Sequence, residues 1–129
     1  MIPVVKLQVQ RAPGDCGICA LSMLLGLPYE DVLGAAVKTT GGSRVHHNGM
    51  LTRDMRRTAK KLGVTLSLRR SVDLEQDEGV LSLEAAEHCH AVLLKAGLIF
   101  DGDGTVWLPD VFLASTGYRV LSLLVRTED

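Results

Sequence analysis

Residues 10–23 of the chain are QRAPGDCGICALSM, a turn-forming segment that leads into a run of small and apolar residues. The Pro-Gly pair favours a turn, and Asp15 is a residue type that commonly stands at the N-cap of a helix. The pattern predicts a helix from Cys16 to about Leu25. A helix N-terminus favours a reactive thiolate through its free N–H groups, but the Asp15 carboxylate opposes it, so an imidazolium partner is needed.

The remaining sequence predicts helices first and strands afterwards. Helices are predicted from about Pro28 and from Thr52 to about Leu62, with a Gly-rich loop at 39–50 between them. Residues 80–83 fit a strand, although 82–88 also fit a helical turn. Other strands are predicted at 3–9, 64–70, 90–95, 98–100 and 118–126, with turns at 96–97 and 101–104 and a short helix at 109–115. This order predicts the α+β class, with N-terminal helices packed on an antiparallel sheet.

The size and composition of the chain are those of a globular protein. Its 129 residues suit one domain, 1–129, with 47% hydrophobic and 22% charged residues. No stretch approaches the roughly 18 apolar residues of a membrane-spanning helix, and no secretory signal is visible. Three cysteines do not make a disulfide framework. We therefore expect a soluble, cytoplasmic protein with reduced thiols and no membrane partner.

Charge is distributed unevenly along the chain. Residues 1–70 carry 11 Lys and Arg against 4 Asp and Glu, whereas residues 71–129 carry 3 against 11. The net charge of -1 argues against a nucleic-acid binder held by charge alone. The third predicted helix places its cations on one side and its apolar residues on the other: Arg53, Arg56, Arg57, Lys60 and Lys61 against Leu51, Met55, Ala59 and Leu62. We expect a solvated cationic face with the acidic half as its internal partner; binding of phosphates or of an acidic partner is the alternative.

A histidine and an aspartate later in the chain complete a possible catalytic set with Cys16. His90 begins the apolar run HAVLLK, and Asp101 follows the next strand. Antiparallel pairing across the turn at 96–97 brings Asp101 back beside His90, where a carboxylate can accept one imidazole N–H and fix the tautomer of the base. The competing residues are His88, His46 and His47 for the base and Asp103 for the carboxylate.

Gln10 is the candidate oxyanion donor. It stands six residues before Cys16, and the turn between them can return it to the side of that cysteine. A side-chain amide aimed at a developing oxyanion can contribute about 3 kcal/mol of transition-state stabilisation. Gln8, on the same face of the predicted strand, is the alternative.

These segments resemble the papain-like cysteine peptidases, most of all the bacteriocin-processing (double-glycine leader) peptidase domains and their standalone relatives. The matches, within about residues 8–103, are Gln10, Asp15, Cys16, Gly17, the run at 20–23, the run at 90–94 and Asp101. Gly102 departs from the pattern, because the family usually has a proline there. That departure keeps Asp103 open as an alternative to Asp101.

The resemblance implies a papain-like α+β fold and cleavage of peptide or isopeptide bonds in a peptide or protein substrate. By that similarity Cys16 is the nucleophile of an acyl-enzyme mechanism, His90 the general base, Asp101 the orienting carboxylate and Gln10 the oxyanion donor. No cofactor is implied. The loop at 39–50 is a candidate substrate gate because its glycines allow movement.

Other interpretations use the same cysteines. Cys16 and Cys19 form a CxxC motif, which suits a redox pair or, with Cys89 or with His88 and His90, a zinc site. The flanking residues do not resemble those of thioredoxins, and the HCH spacing is not that of a zinc finger. A catalytically inactive papain-like domain used for binding is a third alternative.

Overall fold

A computed structural model of the chain describes residues 5–42, 44–86 and 88–127. In chain order the helices are α1 (Cys16–Leu25), α2 (Tyr29–Thr40), α3 (Val45–Asn48), α4 (Thr52–Lys61) and α5 (Pro109–Thr116). The strands are β1 (Leu66–Arg69), β2 (Gly79–Ala85), β3 (His88–Lys95), β4 (Leu98–Phe100), β5 (Val106–Trp107) and β6 (Arg119–Arg126). The predicted α+β class is confirmed, with four helices ahead of the strands.

The six strands form one antiparallel sheet in the order β1-β6-β2-β3-β4-β5. β3 and β4 are joined by the predicted two-residue turn, where Ala96 (φ 53°) and Gly97 (φ 75°) both adopt positive φ. A two-residue hairpin turn whose twist matches that of its flanking strands requires positive φ at both residues. The hairpin directs β4 back along β3, and the chain therefore leaves β4 at Asp101 on the side where β3 begins.

Both faces of the sheet carry a hydrophobic core. On one face α1 packs with α2 and α4 against residues such as Leu93 and Leu124. On the other face Phe112 of α5 packs against Leu81, Val92 and their neighbours. Every residue of α1 from Gly17 to Leu24 is buried, which explains why this helix is apolar on all sides. Burial of α1 fixes the position of its first residue, Cys16.

The strand predicted at residues 3–9 is wrong for residues 5–9, which pair with no strand of the sheet. Leu7 and Val9 are 44% and 55% exposed, so the alternating pattern does not mark a buried face. The segment is tied to the rest of the fold at its end, where the Gln10 N–H donates to the Gly102 carbonyl at 2.7 Å. Residues 3 and 4 lie outside the described ranges.

Two details of the helices also differ from expectation. The Gly-rich loop is shorter than 39–50, because α2 continues to Thr40 and α3 occupies Val45–Asn48. In α4, Met55 and Ala59 are buried as predicted, but Leu51 is 62% exposed. Leu51 precedes the first turn of α4, so it does not share the buried side of that helix.

Within the described residues no single helix is long and apolar enough to cross a membrane. α1 and α2 reach the required length and composition only as a pair, and they are bent by 120° at the break between them.

Candidate active site

The four residues singled out from the sequence line one open cleft of about 810 Å³. Cys16 comes from the start of α1, His90 from β3, Asp101 from the end of β4, and Gln10 from the segment before α1. Four different elements or segments of the chain therefore converge on this cleft.

His90 is held by Asp101. Its Nε2 lies 2.7 Å from Asp101 Oδ1, and both side chains are only 12% exposed. Burial alone lowers the pKa of His90, but hydrogen bonds to Asp101 and to Cys16, together with the charges of both groups, outweigh burial and raise the pKa to about 9. Because the carboxylate engages Nε2, Nδ1 is the ring nitrogen available to the thiol.

Cys16 is the first residue of α1 and carries a free, half-buried thiol. The next residue, Gly17, allows neighbouring side chains to pack closely on the first turn of α1. A Cβ at Gly17 would lie 3.0 Å from Met55 Sδ and 3.5 Å from Met50 Cε. Glycine therefore permits the two methionines to pack against the backbone beside the thiol.

The Gln10 side chain lies against Gly102. A Cβ at that glycine would be 2.7 Å from Gln10 Cγ and 2.9 Å from Gln10 Oε1. Gly102 stands where the peptidases that the sequence resembles usually have a proline. Because it has no side chain, it leaves room for the Gln10 side chain. The Gln10 amide makes no side-chain hydrogen bond within the described part of the chain, so its N–H groups are available to a ligand in the cleft.

Asp15 stands at the N-cap position of α1, but the predicted capping hydrogen bond is absent. Its Oδ2 instead accepts the N–H groups of Arg11 (2.8 Å) and Ala12 (3.2 Å) and the hydroxyl of Tyr29 (2.7 Å). Arg11 lies 4.2 Å above the Tyr29 ring and pairs with Glu30 at 2.5 Å. The turn folds back on the Asp15 carboxylate, and these hydrogen bonds fix the segment between Gln10 and Cys16.

Two of the competing residues, His88 and Asp103, line the same cleft but make other contacts. Asp103 Oδ1 accepts both the N–H (2.9 Å) and the hydroxyl of Thr105, so Asp103 stabilises the turn while Asp101 bonds His90. His88 is exposed and stacks on the His90 ring at 6.2 Å between centroids. His46 lies in α3, where its carbonyl accepts the Gly14 N–H, and the His47 side chain lies outside the described residues. Gln10, and not Gln8, lines the cleft.

Tyr118 is a site residue that the sequence did not reveal. Its ring stacks on that of His90, with centroids 5.6 Å apart and planes 15° apart, and it lines the cleft. Burial, then the charges of Asp101 and Cys16, raise the pKa of Tyr118. The available signal was an aromatic residue just before the last strand in a chain with only 4% aromatics.

The alternatives based on the CxxC motif gain no support from the geometry. Cys19 is fully buried, and burial, followed by the charges of Asp15 and Cys16, raises its pKa to about 12. A thiol held in its neutral form is a poor redox partner or metal ligand. Among the described residues no three His, Cys, Asp or Glu side chains are grouped so that they could hold a metal ion.

Comparisons with protein-family models, with curated proteins and with solved structures find no match to this chain. The interpretation of the cleft therefore depends on its residues and their geometry. Those residues supply a thiol at a helix N-terminus, an imidazole held by a carboxylate, and a free amide.

Proposed function

We propose that the protein is a papain-like thiol hydrolase that cleaves peptide or isopeptide bonds through an acyl-enzyme on Cys16. The observation that carries this proposal is the His90 imidazole, which Asp101 holds at 2.7 Å and which lines the same open cleft as the Cys16 thiol, one of the groups that raise the pKa of His90. Such an imidazole can exchange a proton with the thiol without losing its orientation.

In the first half of the reaction the thiol proton passes to His90, and the sulfur of Cys16 attacks the carbonyl carbon of the substrate. The oxyanion that forms accepts hydrogen bonds from the Gln10 side chain and from the backbone N–H of Cys16. That N–H belongs to the first turn of α1, where amides have no intrahelical acceptor. The C–N bond then breaks as His90 donates its proton to the leaving amine, and a thioester remains.

In the second half a water molecule gives a proton to His90 and attacks the thioester carbon. The C–S bond breaks, the proton returns from His90 to the sulfur of Cys16, and a carboxylic acid leaves. The balance of the two halves is one amide and one water converted to one acid and one amine. No cofactor is needed for this chemistry.

The fold supports the same proposal. Cys16 is the first residue of a buried helix ahead of the sheet, and His90 is the third residue of the central strand β3, which is the order expected of the papain-like arrangement. Gly49 and Met50, at the end of the predicted gating loop, line the cleft beside Cys16, and the gate remains a prediction. We further expect one domain acting in the cytoplasm, where free thiols stay reduced.

Cleavage of a complex peptide mixture tests the proposal. We would incubate proteome-derived peptides with the wild type, Cys16→Ala and the control Cys89→Ala, and identify new termini by mass spectrometry. Cys89 is exposed and also lines the cleft, so its substitution controls for loss of any nearby thiol. We expect identical cleavage by the wild type and Cys89→Ala and none by Cys16→Ala. Cleavage that survives Cys16→Ala, or a wild type that neither cleaves nor forms an acyl adduct on Cys16, would contradict the proposal.

A further inference from the structure

α4 borders two different concave surfaces. Its first turns contribute Thr52, Asp54 and Met55 to the cleft that contains Cys16. A second groove, of about 260 Å³, lies between α4 and β1. We call it the α4 groove, and its lining residues are Arg53, Arg56, Arg57, Lys60, Thr65 and Leu66.

Within residues 5–42, 44–86 and 88–127, no carboxylate of the acidic half forms an ion pair with a cation of the α4 groove. The described ion pairs of that half join Asp77 to Arg69, Glu78 to Lys95, Glu84 to Arg119 and Asp101 to His90. In the groove Arg53 pairs with Asp54 of its own helix at 3.8 Å, and its side chain is 77% exposed. Arg57 and Lys60 form no ion pair with any residue in the described ranges. Internal neutralisation of this face is therefore not seen among the described residues; Glu87, Glu128 and Asp129 of the acidic half lie outside them.

One groove cation is already held in place. Arg56 Nε donates to the Leu66 carbonyl at 3.2 Å, which anchors the guanidinium on the wall of the groove beside β1. A guanidinium anchored through Nε keeps its two terminal nitrogens for a second acceptor, and this fork matches a carboxylate. Preorganisation of this kind lowers the entropy lost when an anion binds.

We propose that the α4 groove binds an acidic segment of the peptide substrate whose scissile bond lies in the cleft; this inference rests on the proposed function. A helix with its side chains is about 10–12 Å across, and an extended chain covers about 3.3 Å per residue. Acidic side chains about four residues from the scissile bond would therefore reach the groove. Nucleic acid is a poorer fit, because phosphate backbones need cations along an extended track, whereas these converge on one short groove.

Binding to the inactive Cys16→Ala protein tests the groove without requiring catalysis. The probe is a fluorescein-labelled hexaglutamate peptide, with hexaglutamine as its neutral counterpart. Arg57→Gln/Lys60→Gln removes two groove cations, and Lys38→Gln/Lys61→Gln removes two exposed cations outside the groove. We expect the groove variant to weaken hexaglutamate binding at least about tenfold, the control by less than about twofold, and added salt to weaken the wild-type complex.

Two results of these binding measurements would contradict the proposal that the α4 groove binds an acidic peptide segment. Equal loss of hexaglutamate binding in the two double variants would overturn the groove and indicate a general charge effect. Tighter binding of a short single-stranded oligonucleotide than of hexaglutamate would also overturn it, because the ligand would then be a polyphosphate.

Steady-state kinetics distinguishes a failure of the groove proposal from a failure of the proposed hydrolase function. For a cleaved peptide with two glutamates about four residues from the scissile bond, we expect Arg57→Gln/Lys60→Gln to raise KM with little change in kcat. The same peptide with glutamines in place of the glutamates should show no such difference. If the peptide is cleaved but the groove variant leaves KM unchanged, only the proposal of substrate binding in the α4 groove is wrong. If the protein binds hexaglutamate selectively but cleaves no peptide, the proposed hydrolase function is wrong.

Discussion

Asp101 and Asp103 stand two positions apart in one turn and carry the same charge, yet their surroundings give them different tasks. Asp101 is 9% exposed, its backbone N–H donates to the Thr105 carbonyl at 2.9 Å, and its carboxylate meets His90. Asp103 is exposed and bonds the hydroxyl of Thr105. Asp101 therefore bonds His90 of β3, whereas Asp103, which also lines the cleft, bonds within its own turn.

A matched pair of substitutions tests this assignment. We expect Asp101→Asn to lower kcat/KM about a hundredfold, because the neutral amide no longer favours the imidazolium or fixes its tautomer. It should also lower the pKa of His90, measured by NMR titration, because the carboxylate raises that pKa. Asp103→Asn should change kcat/KM less than about threefold. Equal effects of the two substitutions would contradict the assignment of Asp101.

The buried Asp15 carboxylate allows a second test at residue scale. Tyr29→Phe removes one of the three hydrogen bonds to Asp15 Oδ2, while Oδ1 is already buried without a partner in the described part of the chain. We expect a loss of about 1–3 kcal/mol in the free energy of unfolding, measured with urea. Tyr118→Phe is the control, because the Tyr118 hydroxyl bonds no described residue and the substitution keeps the stacked ring. Similar stability of the two variants would show that Asp15 does not depend on Tyr29.

At the scale of elements, local signals predicted α1 and the hairpin of β3 and β4 well. α1 begins after a Pro-Gly turn and ends where Gly26 adopts φ 67°, and both signals are local in sequence. The hairpin turn is equally local, so it placed Asp101 near His90 correctly.

Long-range pairing explains what the sequence did not reveal. The strand order places the start of β6 and His90 of β3 on either side of β2, where the Tyr118 ring stacks on the His90 ring, and no local pattern encodes that order. The strand expected at residues 3–9 is wrong over residues 5–9 for the same reason, because alternation indicates an extended segment but not a partner. The hydrogen bonds of Asp15 also depend on Tyr29, which comes from another helix.

Gly79 shows how closely the central strands approach one another. A Cβ at this residue, the first of β2, would lie 2.1 Å from the Leu124 carbonyl oxygen of β6. We expect Gly79→Ala to reduce the free energy of unfolding by about 1–3 kcal/mol, because the backbone of β2 or β6 must shift to make room for the added Cβ. Gly34→Ala, in α2, should be neutral or stabilising by up to about 1 kcal/mol, since nothing lies within 4 Å of the added Cβ. Urea unfolding measures both, and an unchanged midpoint for Gly79→Ala would contradict the close packing.

At the scale of the whole molecule, the site couples to folding through the charge of His90. The pKa of His90 is raised to about 9, from an ordinary value of about 6.5. Protonated His90 therefore stabilises the folded state, fully below about pH 6.5, and this stabilisation is lost as pH rises through about 9. We expect the free energy of unfolding to fall over this window by an amount on the order of 2 kcal/mol more than in His90→Asn.

The control for this pH dependence is His88→Asn, which removes an exposed imidazole from the same strand. Its stability should follow the pH profile of the wild type. Parallel profiles for the wild type and His90→Asn would contradict a coupling between His90 protonation and folding.

The alkylation rate of Cys16 is the most direct measurement of the central claim, that the thiol and the His90 imidazole form a reactive pair. Reaction with iodoacetamide would be followed by mass spectrometry from about pH 5.5 to about pH 8.5, with Cys89 as the exposed internal reference. We expect Cys16 to react at least about tenfold faster than Cys89 at about pH 6, and His90→Ala to abolish this advantage. An alkylation profile of Cys16 that matches the profile of Cys89 and is unchanged by His90→Ala would show that the thiol and the imidazole do not form a reactive pair.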